Sequence, residues 1–369
     1  MRILLWSSTF WPHIGGVEVL GANLVEALVG RGHEVTVLAR RDTDDVPASS
    51  RLLGAEVVRL PFRQAIEAHD PGAVLDLRAQ VVALKQEIRP EVVHLYHLGP
   101  DLLFQRLTRS VVPAPVLVTL HQPFTGELSA ADVALGPTLR QAEAIAACSQ
   151  SVLDDLLGRI PEVAARATVV RNALPPSTAE AEPLGDGPPV VLLVGRVVPQ
   201  KGFDLGLIAF AELHRNRPGA RLVVAGDGVS HPSLRRQVRD LDLSDAVDLV
   251  GWVDQPGVRS LMAQATMVVM PSRFEPFGLV ALEAGQARRP VVAFAVDGLT
   301  EAVQDGVTGL LVPPGDVAAL AATMARVADD PGLARRLGEA GGAADRSGAA
   351  WEAHVGAHEA LYEKLVLAR

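Results

Sequence analysis

Glu275 and Glu283 stand eight residues apart, on either side of a chain break made by Pro276 and Gly278. The apolar run Thr266 to Met270 before them reads as a buried strand, and Leu279 to Ala287 after them resumes as a helix. The unit is strand, loop and helix, with Glu275 on the loop and Glu283 inside the helix. Open α/β sheets bind ligands at such loops, outside the carboxyl ends of their strands. The amides of Phe277, Gly278, Leu279 and Val280 open the helix. Unpaired N–H groups and the helix dipole make that end an anion site, and Gly278 lets an anion come close to the backbone. A carboxylate on each side of an anion site suits a ligand with a phosphate centre and hydroxyls at both ends, the layout of a nucleotide sugar. A plainer arrangement also fits: Glu275 complements the helix dipole and Glu283 is solvated.

Two cations fall at an equivalent place. The strand Val190 to Val194 runs into Gly195-Arg196 and then Lys201-Gly202. Lysine is informative here, because Lys85, Lys201 and Lys364 are the only three among 34 basic residues. A compact ammonium suits a point contact to a phosphate oxygen, and a guanidinium can hold two oxygens at once. Two solvated loop cations remain the alternative. His121 follows the strand Val116 to Leu120 and precedes Gln122-Pro123, which puts it at the mouth of a sheet and not in its core; a hydrogen-bonded structural histidine is the alternative. Gly15 and Gly16 lie between the first strand, Ile3 to Trp6, and a helix marked by Val17, Leu20, Leu24, Ala27 and Leu28. No G-x-G-x-x-G fingerprint is present, so these glycines also fit a simple turn. His94 and His97 lie near the end of the strand Val92 to Leu95, but no third ligand is spaced to complete a metal site.

Together these motifs resemble the retaining glycosyltransferases of family 4. E-P-F-G-L-V-A-L-E is similar to that family's E-x7-E signature, and G-R-x-x-x-x-K-G is a second family motif. The resemblance covers the whole chain and is strongest from Val190 to Gly315. It implies the GT-B fold: α/β, two Rossmann-like domains facing across a cleft, with a C-terminal helix crossing back to the first. It implies that Arg196, Lys201 and the Phe277–Val280 amides hold the donor diphosphate, that Glu275 faces the donor sugar, and that Glu283 binds the ribose. His121 then lines the reacting face, and Gly15 and Gly16 become the loop that approaches the reacting centre and the acceptor. Gly195 belongs to the donor loop, and Gly251-Trp252-Val253 resembles the segment that holds the nucleobase, although Trp252 also fits a core position. The chain departs from the family at Asn172-Ala173-Leu174-Pro175, at Val229, and at Asp297, where most relatives carry glycine.

The elements that must position these residues suggest two domains, as does a length of 369 residues. Residues 1–174 alternate strands and helices, including a strand at Leu53 to Leu60 and a helix at Ala73 to Ile88. The strand Ala144 to Cys148 leads to Ser149, an N-cap candidate for the helix Val152 to Leu157, and Val169 to Asn172 closes the sheet. Residues 175–189 are rich in proline and read as a linker. Residues 190–349 restart the pattern, with strands at Arg221 to Gly226, Val247 to Val253 and Pro290 to Val296. The helix Ala349 to Leu367, part of a 350–369 segment assigned to the first domain, shows an apolar face of Trp351, Val355, Tyr362 and Leu365, with His358 as its single polar interruption.

A net charge of −9 argues against nucleic acid as the main partner. Cys148 is alone, so there is no disulfide framework, which fits a cytoplasmic protein. No run reaches the length of a membrane span; peripheral membrane contact stays open. The expected activity is hexosyl transfer from a nucleoside diphosphate sugar, used as co-substrate, to an acceptor hydroxyl of unknown identity, with retention and no metal or other cofactor. The alternatives are a nucleotide-sugar 2-epimerase or retaining phosphorylase on the same fold, or a silent sugar-nucleotide-binding protein. Acceptor choice is expected in the loops Asp42 to Asp70 and Gln122 to Thr138.

Overall fold

A computed structural model describes residues 1–11, 15–43, 45–123, 130–177, 181–185 and 187–368, with the side chains of 130–134 also outside the description. Pro12 of the glycine loop, Asp44, and much of the loop after His121, including Glu127, thus lie outside the described residues. The rest divides into two compact units, Met1–Asn172 with Glu352–Arg369, and Ala173–Trp351.

The first unit carries eight strands: β1 (Arg2–Ser7), β2 (Glu34–Arg40), β3 (Ser49–Leu52), β4 (Ala55–Leu60), β5 (Val92–His97), β6 (Val116–Leu120), β7 (Ala144–Ala147) and β8 (Ala167–Val169). Their order in the sheet is β3-β4-β2-β1-β5-β6-β7-β8. Every pair is parallel except β3–β4. The second unit carries β9 (Val190–Val194), β10 (Arg221–Ala225), β11 (Val247–Gly251), β12 (Met267–Met270), β13 (Val291–Phe294) and β14 (Gly309–Val312), in the order β11-β10-β9-β12-β13-β14. Central strands such as β6, β12 and β13 are buried along their whole length. That explains why they are unbroken apolar runs: helices cover both faces of a parallel sheet. Each order reverses once, between β1 and β5 in the first sheet and between β9 and β12 in the second. Ligand crevices of doubly wound sheets lie at such switch points.

Three local expectations need correction. The strand read at Leu53 to Leu60 is a hairpin, because Leu53 and Gly54 form a turn with positive φ at both residues, 52° and 79°. Such turns normally carry Asn or Gly first, so leucine concealed it. A short helix, Phe62–Glu67, also precedes the helix Pro71–Ile88. On the C-terminal helix Ala349–Leu367, His354 is buried as deeply as His358, so the polar interruption is double. Ser149 caps its helix as expected, accepting from the Val152 amide at 3.3 Å.

The C-terminal helix packs on the first sheet through these histidines. His94 on β5 hydrogen-bonds Tyr362 Oη and Thr119 Oγ1, each at 2.7 Å. His354 donates from Nδ1 to the Arg171 carbonyl at 2.7 Å, and His358 donates to the His354 carbonyl at 2.9 Å. At the helix surface Arg31 reaches Glu352 and Glu359. In the second unit Glu182, in the described part of the expected linker, is held by the core. The buried Arg289 guanidinium donates to the carbonyls of Glu182, Met262 and Ala263 at 2.8, 3.0 and 2.5 Å.

Lys85 is fully buried in the first unit, where it donates to Gln105 Oε1 at 2.6 Å and Thr108 Oγ1 at 2.8 Å and lies 5.5 Å from the centre of the Trp6 ring. Burial, with Arg109 adding to it, lowers its pKa to about 7. The unfolded chain therefore binds the extra proton between pH 7 and the ordinary lysine value. Stability should rise with pH across that window by up to about 1.4 kcal/mol per unit. Urea unfolding at pH 7 and 9 should show this rise in the wild type and not in Lys85→Met.

Candidate active site

The second switch point brings together Lys201 and Glu275, two of the predicted donor residues. Gly202 adopts a left-handed conformation (φ 63°), and a Cβ there would lie 1.9 Å from the Pro271 carbonyl oxygen. Only glycine lets the loop after β9 touch the loop after β12. Hydrogen bonds then sew the two loops: Arg273 N to Gln200 O at 2.9 Å, and Gln200 Nε2 to Phe274 O at 3.2 Å. Arg273 also grips Asp204 with two bonds, 2.8 and 2.6 Å.

Within that frame Lys201 Nζ donates to Glu275 Oε2 at 2.6 Å, and Ser272 Oγ donates to the same oxygen at 3.2 Å. Both charged side chains are largely buried, 16% and 7% exposed. Arg196, on the loop that carries Lys201, is exposed, and its side chain meets no hydrogen-bond or ion-pair partner among the described residues. The helix Leu279–Gln286 starts from Gly278 at φ 101°, with no side-chain cap. Its first amides have no intrahelical partner. Phe277 is buried.

Sequence reasoning marked Asp297 only as a departure and missed its contact. Asp297 holds a positive φ of 39°, uncommon outside glycine, and its Oδ2 accepts from the Glu275 amide at 3.3 Å. In return Gly298 N donates to the Glu275 carbonyl at 3.0 Å. Burial, and secondarily the neighbouring Glu275, raises the Asp297 pKa. A positive-φ aspartate in a loop gives no sequence signal of its own.

Glu283 lies within the same helix, where burial raises its pKa to about 6; Gln255 Nε2 approaches it at 3.5 Å. Trp252 is 62% exposed, which removes the core alternative, whereas Val253 packs against the second core. Gly251 (φ 72°) passes its carbonyl to the Gly226 amide at 2.7 Å, joining the ends of β10 and β11. Gly195 (φ 137°) is as tightly placed, since a Cβ on Gly226 would lie 1.8 Å from its carbonyl oxygen.

Gly15, Gly16 and His121 belong to the first unit, at the carboxyl edge of its own sheet. Gly15 is the N-cap of the helix Gly16–Gly30, with the Glu18 carboxylate folded over it; a Cβ on Gly15 would come 2.4 Å from Glu18 Oε2. His121 is a correction. Although the residue is only half-buried, both ring nitrogens are shut from solvent with no hydrogen-bond partner among the described residues, and the ring stands edge-on to the buried Tyr96, with centroids 4.6 Å apart. Burial drives its pKa well below the ordinary histidine value. The chain turns His121 inward after β6, where the sequence placed it at an open mouth.

Two doubly wound, mostly parallel sheets, one with a lysine, a carboxylate and an uncapped helix at its switch point, are the architecture of the GT-B class of glycosyltransferase. Residues 14–178 match the profile of Glycosyltransferase Family 4, and residues 177–343 that of Glycosyl transferases group 1. The chain is 32% identical over 371 residues to the glycogen synthase of Mycobacterium tuberculosis, spanning 92% of this chain and 89% of that one. Among solved structures it resembles sucrose-phosphate synthase from Thermosynechococcus elongatus, with a TM-score of 0.83, 24% identity and 100% of each chain covered. It also resembles Anabaena HepE in complex with UDP and glucose, with a TM-score of 0.78, 22% identity, and 98% of this chain and 99% of that one covered. The chain belongs to this glycosyltransferase family and is a glycosyltransferase.

Proposed function

We propose that the enzyme moves a hexosyl group from a nucleoside diphosphate sugar to an acceptor hydroxyl, with retention of the anomeric configuration and without a metal ion. The observation that carries this is the Lys201–Glu275 contact at the foot of an uncapped helix, with an unpaired Arg196 on the same loop. A diphosphate set on the Leu279 and Val280 amides completes the coordination of both cations. Negative charge grows on the departing diphosphate as the glycosyl bond breaks. Preorganised donors in a shielded site stabilise that charge far better than water does. Glu275, fixed by Lys201 and Ser272, orients sugar hydroxyls, and Glu283 accepts from the ribose. Trp252 offers an exposed ring face to the base. Since the Anabaena protein was solved with UDP and glucose, UDP-glucose is the first donor to try.

Double displacement needs a carboxylate on the face opposite the leaving group. Glu275 is held by Lys201, Glu283 serves the ribose, and Asp297 accepts from the Glu275 amide. With these described carboxylates committed, the reading is front-face attack: the acceptor hydroxyl enters on the side the diphosphate leaves, and a diphosphate oxygen takes its proton. Product NMR tests this, and an α-linked product from an α-linked donor is expected. A β-linked product overturns retention, and a trapped glycosyl-enzyme overturns the front-face route. Because Arg196, Lys201 and the helix end already supply positive charge, turnover should survive EDTA. Loss of activity restored by Mg²⁺ or Mn²⁺ would refute this.

A further inference from the structure

The first unit has its own switch point between β1 and β5, and a chain of three side chains crosses it. Thr9, after β1, donates from Oγ1 to Glu18 Oε1 at 2.5 Å. The same hydroxyl lies 2.6 Å from His97 Nδ1 at the end of β5. Glu18, in the first turn of the helix Gly16–Gly30, stands 3.9 Å from that nitrogen. Proton accounting fixes the imidazole. An ionised carboxylate only accepts, and a threonine hydroxyl has one proton to give. That proton goes to Glu18, so Thr9 Oγ1 accepts from His97 Nδ1–H. In the neutral ring Nε2 then carries the lone pair. Among the described residues no side chain pairs with Nε2, and the Thr9 backbone also hydrogen-bonds the ring. The His97 side chain is 31% exposed.

We propose that His97 is a specificity-determining residue whose Nε2 accepts a hydrogen bond from a non-attacking hydroxyl of a polyhydroxylated acceptor, its orientation set by Thr9 and Glu18. The assignment rests on the glycosyl-transfer reading above, and it concerns binding: the attacking hydroxyl still gives its proton to the diphosphate. Among the described residues, four charged or titratable groups face His97. Glu18 and Asp101 favour the imidazolium, and Arg40 opposes it; His121 lies within electrostatic reach. Burial outweighs the carboxylates and lowers the His97 pKa, so the ring is neutral and accepting at neutral pH.

The test uses the full chain with UDP-glucose as donor, and glucose, maltose and myo-inositol as polyol probes. His97→Phe should raise KM for the best probe about tenfold, the loss of one hydrogen bond, while the UDP-glucose thermal shift stays unchanged. His97→Gln places an amide oxygen where Nε2 stood, so it should recover part of that loss and abolish the acid limb of kcat/KM for the acceptor. Glu18→Gln should move the same limb to lower pH, because it removes a charge that favours the imidazolium. Wild-type KM and acid limb in His97→Phe overturn the assignment and leave transfer standing. A donor thermal shift with no UDP released to any probe overturns the transfer reading instead. Nitrogen-15 imidazole spectra decide the geometry without any substrate: Nδ1–H at His97 is expected, and Nε2–H overturns the proposal.

Discussion

Arg196→Ala and Lys201→Ala should each lower kcat/KM about 10²-fold or more, the loss seen when a preorganised donor to transition-state charge is removed. Their effects on stability should differ. Arg196 is exposed and its side chain meets no partner among the described residues, so its loss should leave the melting temperature unchanged. Lys201 is ion-paired to Glu275, which is only 6% exposed. Removing it leaves a buried carboxylate uncompensated, which destabilises strongly. Steady-state kinetics with a paired thermal melt separates the roles. Wild-type turnover in both variants would remove both cations from the diphosphate site.

Acid should unfold the first unit through its histidines. His94 and His121 are held well below their ordinary range, His354 falls to about 4 and His358 to about 3, in each case chiefly by burial. The unfolded chain binds these protons below about pH 6.5 and the folded chain does not, so stability present above that pH is lost as pH falls toward the folded values. Each histidine contributes a slope of about 1.4 kcal/mol per pH unit. Between pH 6.5 and 5 most carboxylates stay ionised. Asp101, whose pKa burial raises, and Glu283, at about 6, act in the opposite direction. Denaturant unfolding across that window should show a steep fall, made shallower by one proton in His358→Leu. A flat profile would refute the account.

What the sequence made legible was what neighbouring residues decide. Apolar runs marked β6 and β9 to the residue, and Ser149 announced its helix because a cap acts three residues away. The loops of the proposed donor site were readable because glycine, proline and charge cluster within each one. Contacts between distant segments were not. His97 meets Thr9 across 88 residues of chain, and His94 meets Tyr362 across 268. Asp297 and Leu53 hold left-handed backbone on residues that seldom adopt it, and no local pattern announces that.

The second unit interrupts the first, since Ala173–Trp351 is inserted between Asn172 and Glu352. During synthesis this inverts the usual order, in which amino-terminal domains fold first. The ribosome finishes every strand of the first sheet early, but the buried face of β5 must wait for Tyr362, and His354 must emerge before the Arg171 carbonyl finds its donor. The inserted unit has all its own strands by then. It can therefore complete while the older half still exposes an apolar sheet face, and that interval is when a nascent chain most needs a chaperone.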